Sequence, residues 1–489
     1  MSETLPARPA LRRPLILAAV CAAMFMIAVE ATIVSTAMPQ IAAQLGDLHL
    51  YSWVFAGFLL SQTAMTMVFG KLADLFGRKP VLLVGIGIFL IGSALCGLAW
   101  SIPALIGFRL LQGVGAGAIQ PVCLTVVGDL YPGAERAKVQ GYLASVWGFS
   151  SVVGPLAGGL IIQHMSWAWI FWINIPVGLV SAALFVAFLH ERVATAQRHV
   201  DIAGATLFAI GIAALMVAVT ELGNGAVAPM LLAAAVFAAA AAAFAVQQRR
   251  ARDPIISFAL WRRRPIATAN LATLLSGMSV IGLSTFLPMY VQGVMGRSAL
   301  VAGFALTVMV LGWPIGATVA SRVFPRFGLR RTLLFGAALL PLGAVPFLLL
   351  TPASSPLLAG SGSLVIGLGM GFLTTSAIVL IQGSVGWAER GAATASSVFS
   401  RNLGSTLGAT VLGGVLNLGL AGSAVSFERI REMLDRPDLA RAEPAVTAAL
   451  SGALHWTFWG IFLIAVAALL AATRVPHQAS SGARASAPK

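Results

Sequence analysis

Charge is the scarcest property of this sequence. Asp, Glu, Lys and Arg together make up 10% of its 489 residues, whereas a soluble domain carries about 25%. Hydrophobic residues make up 58%, so most of the chain cannot face water. The composition therefore excludes a soluble protein and indicates one whose surface is in contact with lipid.

Cysteines and catalytic motifs are also scarce. The 3 cysteines, Cys21, Cys96 and Cys123, all lie within apolar runs, which indicates neither a disulfide framework nor a metal site. The sequence contains no phosphate-binding loop of the Walker A type, no zinc-protease motif and no pattern of a nucleophile triad. We therefore predict a protein that is not an enzyme, needs no cofactor and holds no metal.

Apolar runs recur along the whole chain. Each is roughly 20 residues long, which is enough to cross ~30 Å of hydrocarbon as a helix. Because lipid offers the backbone no hydrogen-bond partner, helices are the expected structure, and we predict an all-α polytopic membrane protein. The fourteen predicted spans are 14–38, 51–70, 80–100, 103–127, 138–162, 169–189, 202–221, 227–246, 265–290, 299–320, 332–350, 357–382, 392–418 and 453–473.

Basic residues are distributed unevenly among the connections. Of the 31 Lys and Arg residues, 24 fall in alternate loops and in the two tails, 5 fall in the other loops, and Arg109 and Arg401 lie within spans. Lys and Arg are enriched in cytoplasmic loops, so the net charge of +15 indicates topology and not nucleic-acid binding. We expect a bacterial-type cytoplasmic (inner) membrane protein with both termini in the cytoplasm.

Two segments of the chain occur twice. Residues 70–80 align with 321–331, and residues 131–137 align with 385–391. Spans 1–6 and 9–14 are therefore two copies of one six-helix unit, an architecture typical of transporters. The predicted units are a first bundle over 1–190, two inserted helices with a basic linker over 191–264, a second bundle over 265–473 with an outward loop over 422–451, and a disordered cytoplasmic tail over 474–489.

Two connections are longer than the others. Residues 247–264 are basic and are interpreted as a surface linker at the inner leaflet. In the outward loop, Phe427, Ile430 and Leu434 fall on one helical face among charged residues, which predicts a short amphipathic helix at the membrane interface.

One acidic residue lies well inside a predicted span. Among the 16 Asp and Glu residues this is Glu30, and an acid at this depth is a functional candidate because a charge there is costly. Arg109 falls at a similar depth in span 4. We predict that the two pair in one protonation state of Glu30 and that proton binding releases Arg109. A static buried pair is the alternative.

The connection between spans 2 and 3 is short and charged. We predict that Asp74 accepts from Arg78 and from the positive N-terminal end of span 13, which starts near Gly391. In the second copy Pro325 replaces the acid, so this latch is expected to be asymmetric. The predicted latch residues are Gly70, Asp74, Gly77, Arg78 and Lys79.

Span 5 carries a Gly-Pro motif made of Gly154, Pro155, Gly158 and Gly159. Proline bends a helix and glycine lets a neighbouring helix approach closely; tight packing alone is the alternative. A central cavity is also expected, because soft and aromatic side chains suit varied apolar ligands. Its predicted lining is Met26, Phe58, Gln62, Trp147, Asn270, Met278, Trp313, Gln382 and Arg401, where Arg401 contacts a backbone carbonyl or contributes to a polar or anionic site.

Five segments resemble the major facilitator superfamily, in particular its fourteen-span drug:proton antiporter branch. Glu30 stands where this branch usually has Asp, and span 13 lacks the acid that some members carry. The segments are 70–79, which resembles the signature of the loop between spans 2 and 3, 109–117, which resembles the span 4 motif, 154–159, which resembles the span 5 antiporter motif, 30–39 in span 1, and 401–404 in span 13.

The resemblance implies multidrug efflux. The expected activity is export of bulky hydrophobic compounds, monocationic drugs included, in exchange for protons. A proton gradient supplies the energy, and the two bundles rock to give alternating access. A substrate in the pocket and a proton on Glu30 compete, so that each promotes release of the other. The implied partners are small hydrophobic or cationic drugs, protons and membrane lipid, with no nucleic acid, and the protein is expected to act as a monomer. A dedicated exporter of a lipid, siderophore or metabolite, a membrane enzyme and a sensor are the alternatives.

Overall fold

The computed structural model describes residues 12–45, 51–131, 133–191, 201–223, 226–251, 254, 257–420 and 444–476. Within these ranges all regular structure is helical, and 14 helices are long and apolar enough to cross a membrane. The predicted all-α fold with fourteen spans is thus confirmed.

The helices fall into three groups along the chain. The first half contains α1 (Arg12–Leu45), α2 (Tyr51–Phe76), α3 (Arg78–Gly97), α4 (Ile102–Leu130), α5 (Gly133–His164), α6 (Trp169–Trp172) and α7 (Asn174–Phe188). The inserted pair is α8 (Ile202–Gly223) and α9 (Val227–Arg250). The second half contains α10 (Phe258–Arg262), α11 (Arg264–Gly293), α12 (Ala299–Phe327), α13 (Leu329–Leu348), α14 (Pro356–Gly383), α15 (Arg390–Leu420) and α16 (Pro444–Thr473).

Packing follows the same pattern in the two halves. In the first half α1 packs against α5 and α7, while α2 and α3 pack against α4. In the second half α11 packs against α15 and α16, while α12 and α13 pack against α14. The halves meet through α2 against α15 and α5 against α12, and α8 of the inserted pair contacts α2 and α15. Two six-helix bundles with two inserted helices are therefore confirmed, and the exact unit boundaries stay predictions.

Single contacts show the repeat as well. Gly77 and Gly328, at equivalent positions, both have positive φ angles of 95° and 83°. After the first glycine, Nζ of Lys79 donates to the carbonyl oxygen of Val186 at 2.8 Å. After the second, Nε of Arg330 donates to the carbonyl oxygen of Val475 at 2.6 Å. In each half a basic side chain thus fastens the third span to the end of the sixth.

The charged connection at 70–80 is shorter than predicted. Helix α2 continues through Phe76 and α3 begins at Arg78, so Gly77 alone makes the turn. Its φ of 95° and ψ of 158° lie in a region that residues with side chains avoid, which explains a glycine here. Asp74 consequently lies on a helix and not in a loop.

Three other boundaries differ from the predictions. Span 6 is broken at Ile173 into α6 and α7. The last span begins at Pro444 rather than at 453, so the predicted loop 422–451 overlaps its first two turns. The amphipathic helix predicted around Phe427, Ile430 and Leu434 and the tail beyond residue 476 lie outside the described residues.

Two described parts of the linker at 247–264 are helical. Helix α9 extends to Arg250, and the short α10 follows. The hydroxyl of Ser257 caps α10 by accepting from the amide of Leu260 at 3.3 Å, and Leu260 is buried in the hydrophobic core of the second half. An apolar side chain within the basic segment therefore anchors the linker to the bundle.

We expect Gly77→Ala and Gly328→Ala each to lower stability by about 1–3 kcal/mol, because alanine is strained at these φ angles. The measurement is the thermal unfolding midpoint of the purified protein in detergent. Gly87→Ala is the control, since Gly87 lies within helix α3 with open space around its Cα; it is expected to leave the midpoint unchanged or higher. An unchanged midpoint in the first two variants would contradict the role given to the turns.

Candidate functional site

A buried carboxylate lies in the middle of α1. The side chain of Glu30 is 0% exposed. Its Oε1 forms an ion pair with Nη1 of Arg109 on α4, and its Oε2 accepts a 2.6 Å hydrogen bond from Nδ2 of Asn174 on α7. Both oxygens are thus satisfied by side chains of other helices in the first half, as a charge removed from water requires.

The guanidinium of Arg109 is held on several sides. Nη1 also donates to Oε1 of Gln112 at 2.7 Å, and Nε donates to the carbonyl oxygen of Val54 at 3.2 Å. The guanidinium carbon lies 4.3 Å from the centroid of the Phe58 ring, within cation–π range. Gln112 is fixed in turn by a 2.8 Å hydrogen bond from its Nε2 to Oγ of Ser93. We call Glu30, Arg109, Gln112, Ser93 and Asn174 the ion-pair cluster.

Sequence reasoning found only the charged members of this cluster. Asn174 follows the break at Ile173 that places it at the start of α7, and the sequence did not predict this break. An amide within an apolar span was the available signal for Asn174, because such a group needs a partner on another helix.

A central cavity of about 430 Å³ lies between the two halves, within the size range of small-molecule sites. Its wall includes residues of α1, α2, α4 and α5 from the first half and of α11, α12, α14 and α15 from the second. Of the nine predicted lining residues, the structure places these five at the cavity: Phe58, Gln62, Trp147, Trp313 and Arg401.

The other four predicted lining residues point elsewhere. Met26 is buried against Gly178 of α7. Nδ2 of Asn270 donates to Oγ of Ser396 at 2.9 Å. Met278 lies where α11 crosses α15 closely at Gly408.

Gln382 lies at the contact between the halves. Its Nε2 donates to the carbonyl oxygen of Leu124 on α4 and to Oγ1 of Thr394 on α15, both at 3.0 Å. The rotation of a helix about its axis decides which of its side chains face the cavity, and the sequence alone did not predict this rotation.

Phe58 joins the cavity to the ion-pair cluster. Its ring contacts the Arg109 guanidinium, and Phe58 also lines the cavity. Glu30 does not line the cavity, although its neighbours Ala31 and Thr32 do. The ion-pair cluster and the cavity are therefore adjacent, and the expected competition between substrate and proton stays a prediction.

Asp74 connects the halves at one end of the molecule. We call this end, which carries Arg78, Arg136 and Arg390, the basic face. The two carboxylate oxygens of Asp74 accept from the amides of Gly391 and Ala392, each at 2.8 Å. These amides belong to the first turn of α15, where a helix offers free donors and a positive dipole end.

Arg78 extends this contact. It is 1% exposed, and it lies 3.2 Å from Asp74 and 3.0 Å from Asp129 of α4. Its Nη2 donates to the carbonyl oxygen of Trp387 at 2.7 Å, and its guanidinium carbon lies 3.9 Å from the centroid of that indole. The side chain therefore bridges two helices of the first half and the segment that precedes α15.

Asp129 and Arg390 complete the basic-face contact. Nη1 of Arg390 pairs with Asp129 and also donates to the carbonyl oxygen of Gly128 at 3.3 Å. Arg136 donates to the same carbonyl at 2.6 Å. Burial, followed by the nearby Arg390 charge, lowers the pKa of Arg136 to about 10, so this side chain remains charged at neutral pH.

Some of the predicted latch residues lie at the contact between the halves and others do not. Gly70 lies where α2 meets α15, and a Cβ on it would come within 2.9 Å of the carbonyl oxygen of Gly391. Lys79 does not take part in the contact between halves, because its ammonium is bound to Val186 of α7. The sequence missed Asp129, Trp387 and Arg390. All three lie just outside predicted spans, where charged and aromatic residues are common.

Two glycines of the Gly-Pro motif of α5, Gly154 and Gly159, differ in their surroundings. A Cβ on Gly154 would come within 3.3 Å of the amide nitrogen of Ile33 on α1, whereas one on Gly159 would meet nothing within 4 Å. Gly158 is buried and Pro155 is exposed. The predicted close approach thus holds at Gly154, beside the helix that carries Glu30, and is wrong for Gly159.

Metal ligands do not cluster in the described part of the chain: no group of three or more His, Cys, Asp or Glu residues there could hold a metal ion. The three cysteines are free thiols.

Comparison with known proteins agrees with this arrangement. The chain matches the Major Facilitator Superfamily over residues 20–409. It is 35% identical over 412 residues to the multidrug transporter protein MdtP of Bacillus subtilis (strain 168), covering 83% of this chain and 76% of MdtP. It is 34% identical over 397 residues to multidrug resistance protein 3 of the same organism, covering 80% and 77%.

A solved structure has the same fold. The human organic anion transporter MFSD10 (TETRAN) superposes with a TM-score of 0.64 over 95% of this chain and 100% of that chain, at 15% sequence identity. The chain therefore belongs to the major facilitator superfamily and is a multi-pass membrane protein of that family.

We expect a double-mutant cycle on Glu30→Gln and Arg109→Met to show strong coupling. Each single change leaves one buried charge unpaired and should cost about 3–5 kcal/mol, and the double variant should lose less than the sum, with a coupling of about 1–3 kcal/mol. The measurement is unfolding of the purified protein in detergent by a denaturant.

The matched control is the exposed pair Arg13 and Glu135, 3.8 Å apart. The cycle on Arg13→Met and Glu135→Gln should give about 0–1 kcal/mol. Equal coupling in the two cycles would contradict the structural role of the buried pair.

Proposed function

We propose that this protein exports bulky hydrophobic small molecules in exchange for protons. The names of the two Bacillus subtilis relatives support multidrug efflux. We further propose that it lies in the cytoplasmic membrane with its basic face and both termini towards the cytoplasm, because Lys and Arg favour that side. No cofactor is needed, since a proton gradient supplies the energy.

One observation carries the proposal: a fully buried acid, paired with an arginine, lies one aromatic ring away from the cavity. A proton on Glu30 removes the negative charge that compensates Arg109. The guanidinium then lacks a counter-ion in a low-dielectric site and must find new partners. Because it lies against Phe58, this rearrangement changes the cavity wall. Proton binding and substrate binding are thereby linked without sharing atoms.

The basic-face contact supplies the second state. With Asp74 bound to the first turn of α15 and Arg78 bound to the Trp387 carbonyl, the halves are joined on the cytoplasmic side. We propose that this is the outward-facing state and that breaking these contacts lets the halves rock apart to admit substrate from the cytoplasm. In the second copy Pro325 has no carboxylate to offer, so the contact is one-sided.

The lining of the cavity limits the substrates. Trp147, Trp313 and Phe58 offer aromatic surface, and the described lining residues include no Asp or Glu. A cation would find no counter-charge there, so we propose bulky hydrophobic compounds and leave out the cationic drugs that the resemblance implied. Transport of only one compound from a chemically varied panel would favour a dedicated exporter of a lipid, siderophore or metabolite.

We expect Glu30→Gln to abolish efflux driven by a proton gradient, because glutamine cannot bind and release the coupled proton. The measurement is efflux of phenylnaphthylamine and several unrelated neutral dyes from proteoliposomes with an imposed pH gradient. Glu221→Gln, a partly buried acid on the inserted α8, is the control and should transport as the wild type does. Wild-type efflux by Glu30→Gln, or wild-type efflux after the gradient is collapsed, would overturn the proposal.

We expect Asp74→Asn to impair transport while the protein stays folded. Asparagine keeps one oxygen acceptor and loses the charge, and each hydrogen bond to a charged group contributes about 1.5–3 kcal/mol, so the outward-facing state should lose about tenfold or more of its population. The readouts are dye efflux and the thermal midpoint. Lys79→Met is the control from the same turn: its contact lies within one half, so its efflux should persist. Equal efflux by Asp74→Asn and wild type would contradict the latch.

A further inference from the structure

One cationic side chain of the cavity forms no ion pair with any of the residues that the structure describes. Arg401 is the only residue with a formal charge among the described residues that line the cavity. It is absent from the ion pairs of the described residues, which include those of the buried Arg78 and Arg109. Glu30, the buried acid of the ion-pair cluster, already pairs with Arg109 and accepts a hydrogen bond from Asn174. It does not line the cavity.

The position of Arg401 makes this lack of a partner costly. It lies eleven residues after the start of α15, about 16 Å into the span, and it is only partly exposed. A guanidinium in such a place is stabilised by a hydrogen-bonded anion. Because the described part of the chain supplies no such anion, an occupant of the cavity can supply it.

Polar residues flank Arg401 on its own helix. Ser397 and Ser405 lie four residues before and after Arg401, so the three share one helical face, and all three line the cavity together with Asn402. Gly277 of α11 permits the close approach of α15 here, since a Cβ on it would come within 2.6 Å of the Arg401 carbonyl oxygen. The α15 wall is therefore polar and positive.

A separate wall of the cavity is aromatic. Trp147 on α5 and Trp313 on α12 line it, and these two helices pack against each other. One cavity thus offers aromatic surface and, among its described lining residues, a single cationic side chain. A molecule that fits both has an aromatic or alicyclic body and one anionic group, such as a carboxylate or sulfonate.

We propose that Arg401 binds the anionic group of amphiphilic organic anions, and that these are the preferred substrates of the transporter. The inference rests on the proposed export function for its physiological meaning, but its test needs only binding. Arg401 binds an oxyanion in a bidentate manner, which a lysine cannot reproduce, and its charge repels cations of the same shape.

The first experiment compares two fluorescent probes with the same aromatic body. Anilinonaphthalene sulfonate carries one negative charge and phenylnaphthylamine carries none. Binding of each is measured on the purified full-length protein in detergent, with protein-free micelles subtracted. We expect wild type to prefer the sulfonate, and Arg401→Gln to reduce the ratio of the two affinities by about tenfold or more, as loss of a hydrogen-bonded charge pair does. Arg401→Lys should lie in between.

Arg326→Gln is the matched control. It removes one positive charge from the exposed end of α12 and should leave the ratio unchanged. Binding of phenylnaphthylamine by each variant shows that its cavity is formed. An unchanged ratio in Arg401→Gln, or an equal loss in Arg326→Gln, would overturn the proposal.

A second measurement needs no substitution. Tetraphenylborate and tetraphenylphosphonium are ions of similar shape and opposite charge, and each is titrated against bound phenylnaphthylamine on the wild type. We expect the borate to displace the probe at a lower concentration, by about tenfold; equal or better displacement by the phosphonium would overturn the proposal. Gradient-driven efflux of the neutral probe tests only the proposed export function, whereas the binding measurements test only the anion site. The two claims can therefore fail independently.

Discussion

The ion pair between Glu30 and Arg109 is the interaction on which the first half depends. Two opposite charges lie in the centre of an apolar bundle, and each is stable only because the other is present. Asn174 and Gln112 form further hydrogen bonds with the two charged groups, so one polar cluster holds helices α1, α4 and α7 together. The same requirement makes the site responsive, since adding one proton to the acid leaves the arginine without its partner.

Helix α2 and the ring of Phe58 connect the ion-pair cluster and the cavity with the contact at the basic face. The ring of Phe58 contacts Arg109 and also lines the cavity. Helix α2 carries Phe58 and, near its C-terminal end, Asp74, which binds the first turn of α15. A change at the cluster can therefore reach the basic face along a single helix. If the cavity occupant bears an anionic group bound to Arg401 of α15, both helices that meet at the basic face also contact the cavity. Binding and closure then act on the same pair of helices.

The sequence predicted the fold closely because lipid imposes strict rules on length and charge. All fourteen spans and the repeat followed from apolar runs and aligned turns. Glu30 and Arg109 were found because a charge within a span is rare, and Asp74 was found because it lies in a short charged connection that recurs in the second half. Asn174, Asp129 and Trp387 were not, because their roles depend on helix ends and on partners in other helices. Four residues were predicted at the cavity but do not line it, because the composition of an apolar span does not fix the rotation of its helix. They are Met26, Asn270, Met278 and Gln382.

The central claim is that protonation of Glu30 shifts the equilibrium between the two states of the halves. Spin labels at Trp100→Cys, between α3 and α4, and at Leu357→Cys, in the first turn of α14, in a background without the native cysteines, report the separation of the halves on the side opposite the basic face. Distances measured by pulsed spin resonance in lipid nanodiscs should change with pH in this protein and stay constant when Glu30→Gln is added. The same pH-dependent change in both would contradict the account.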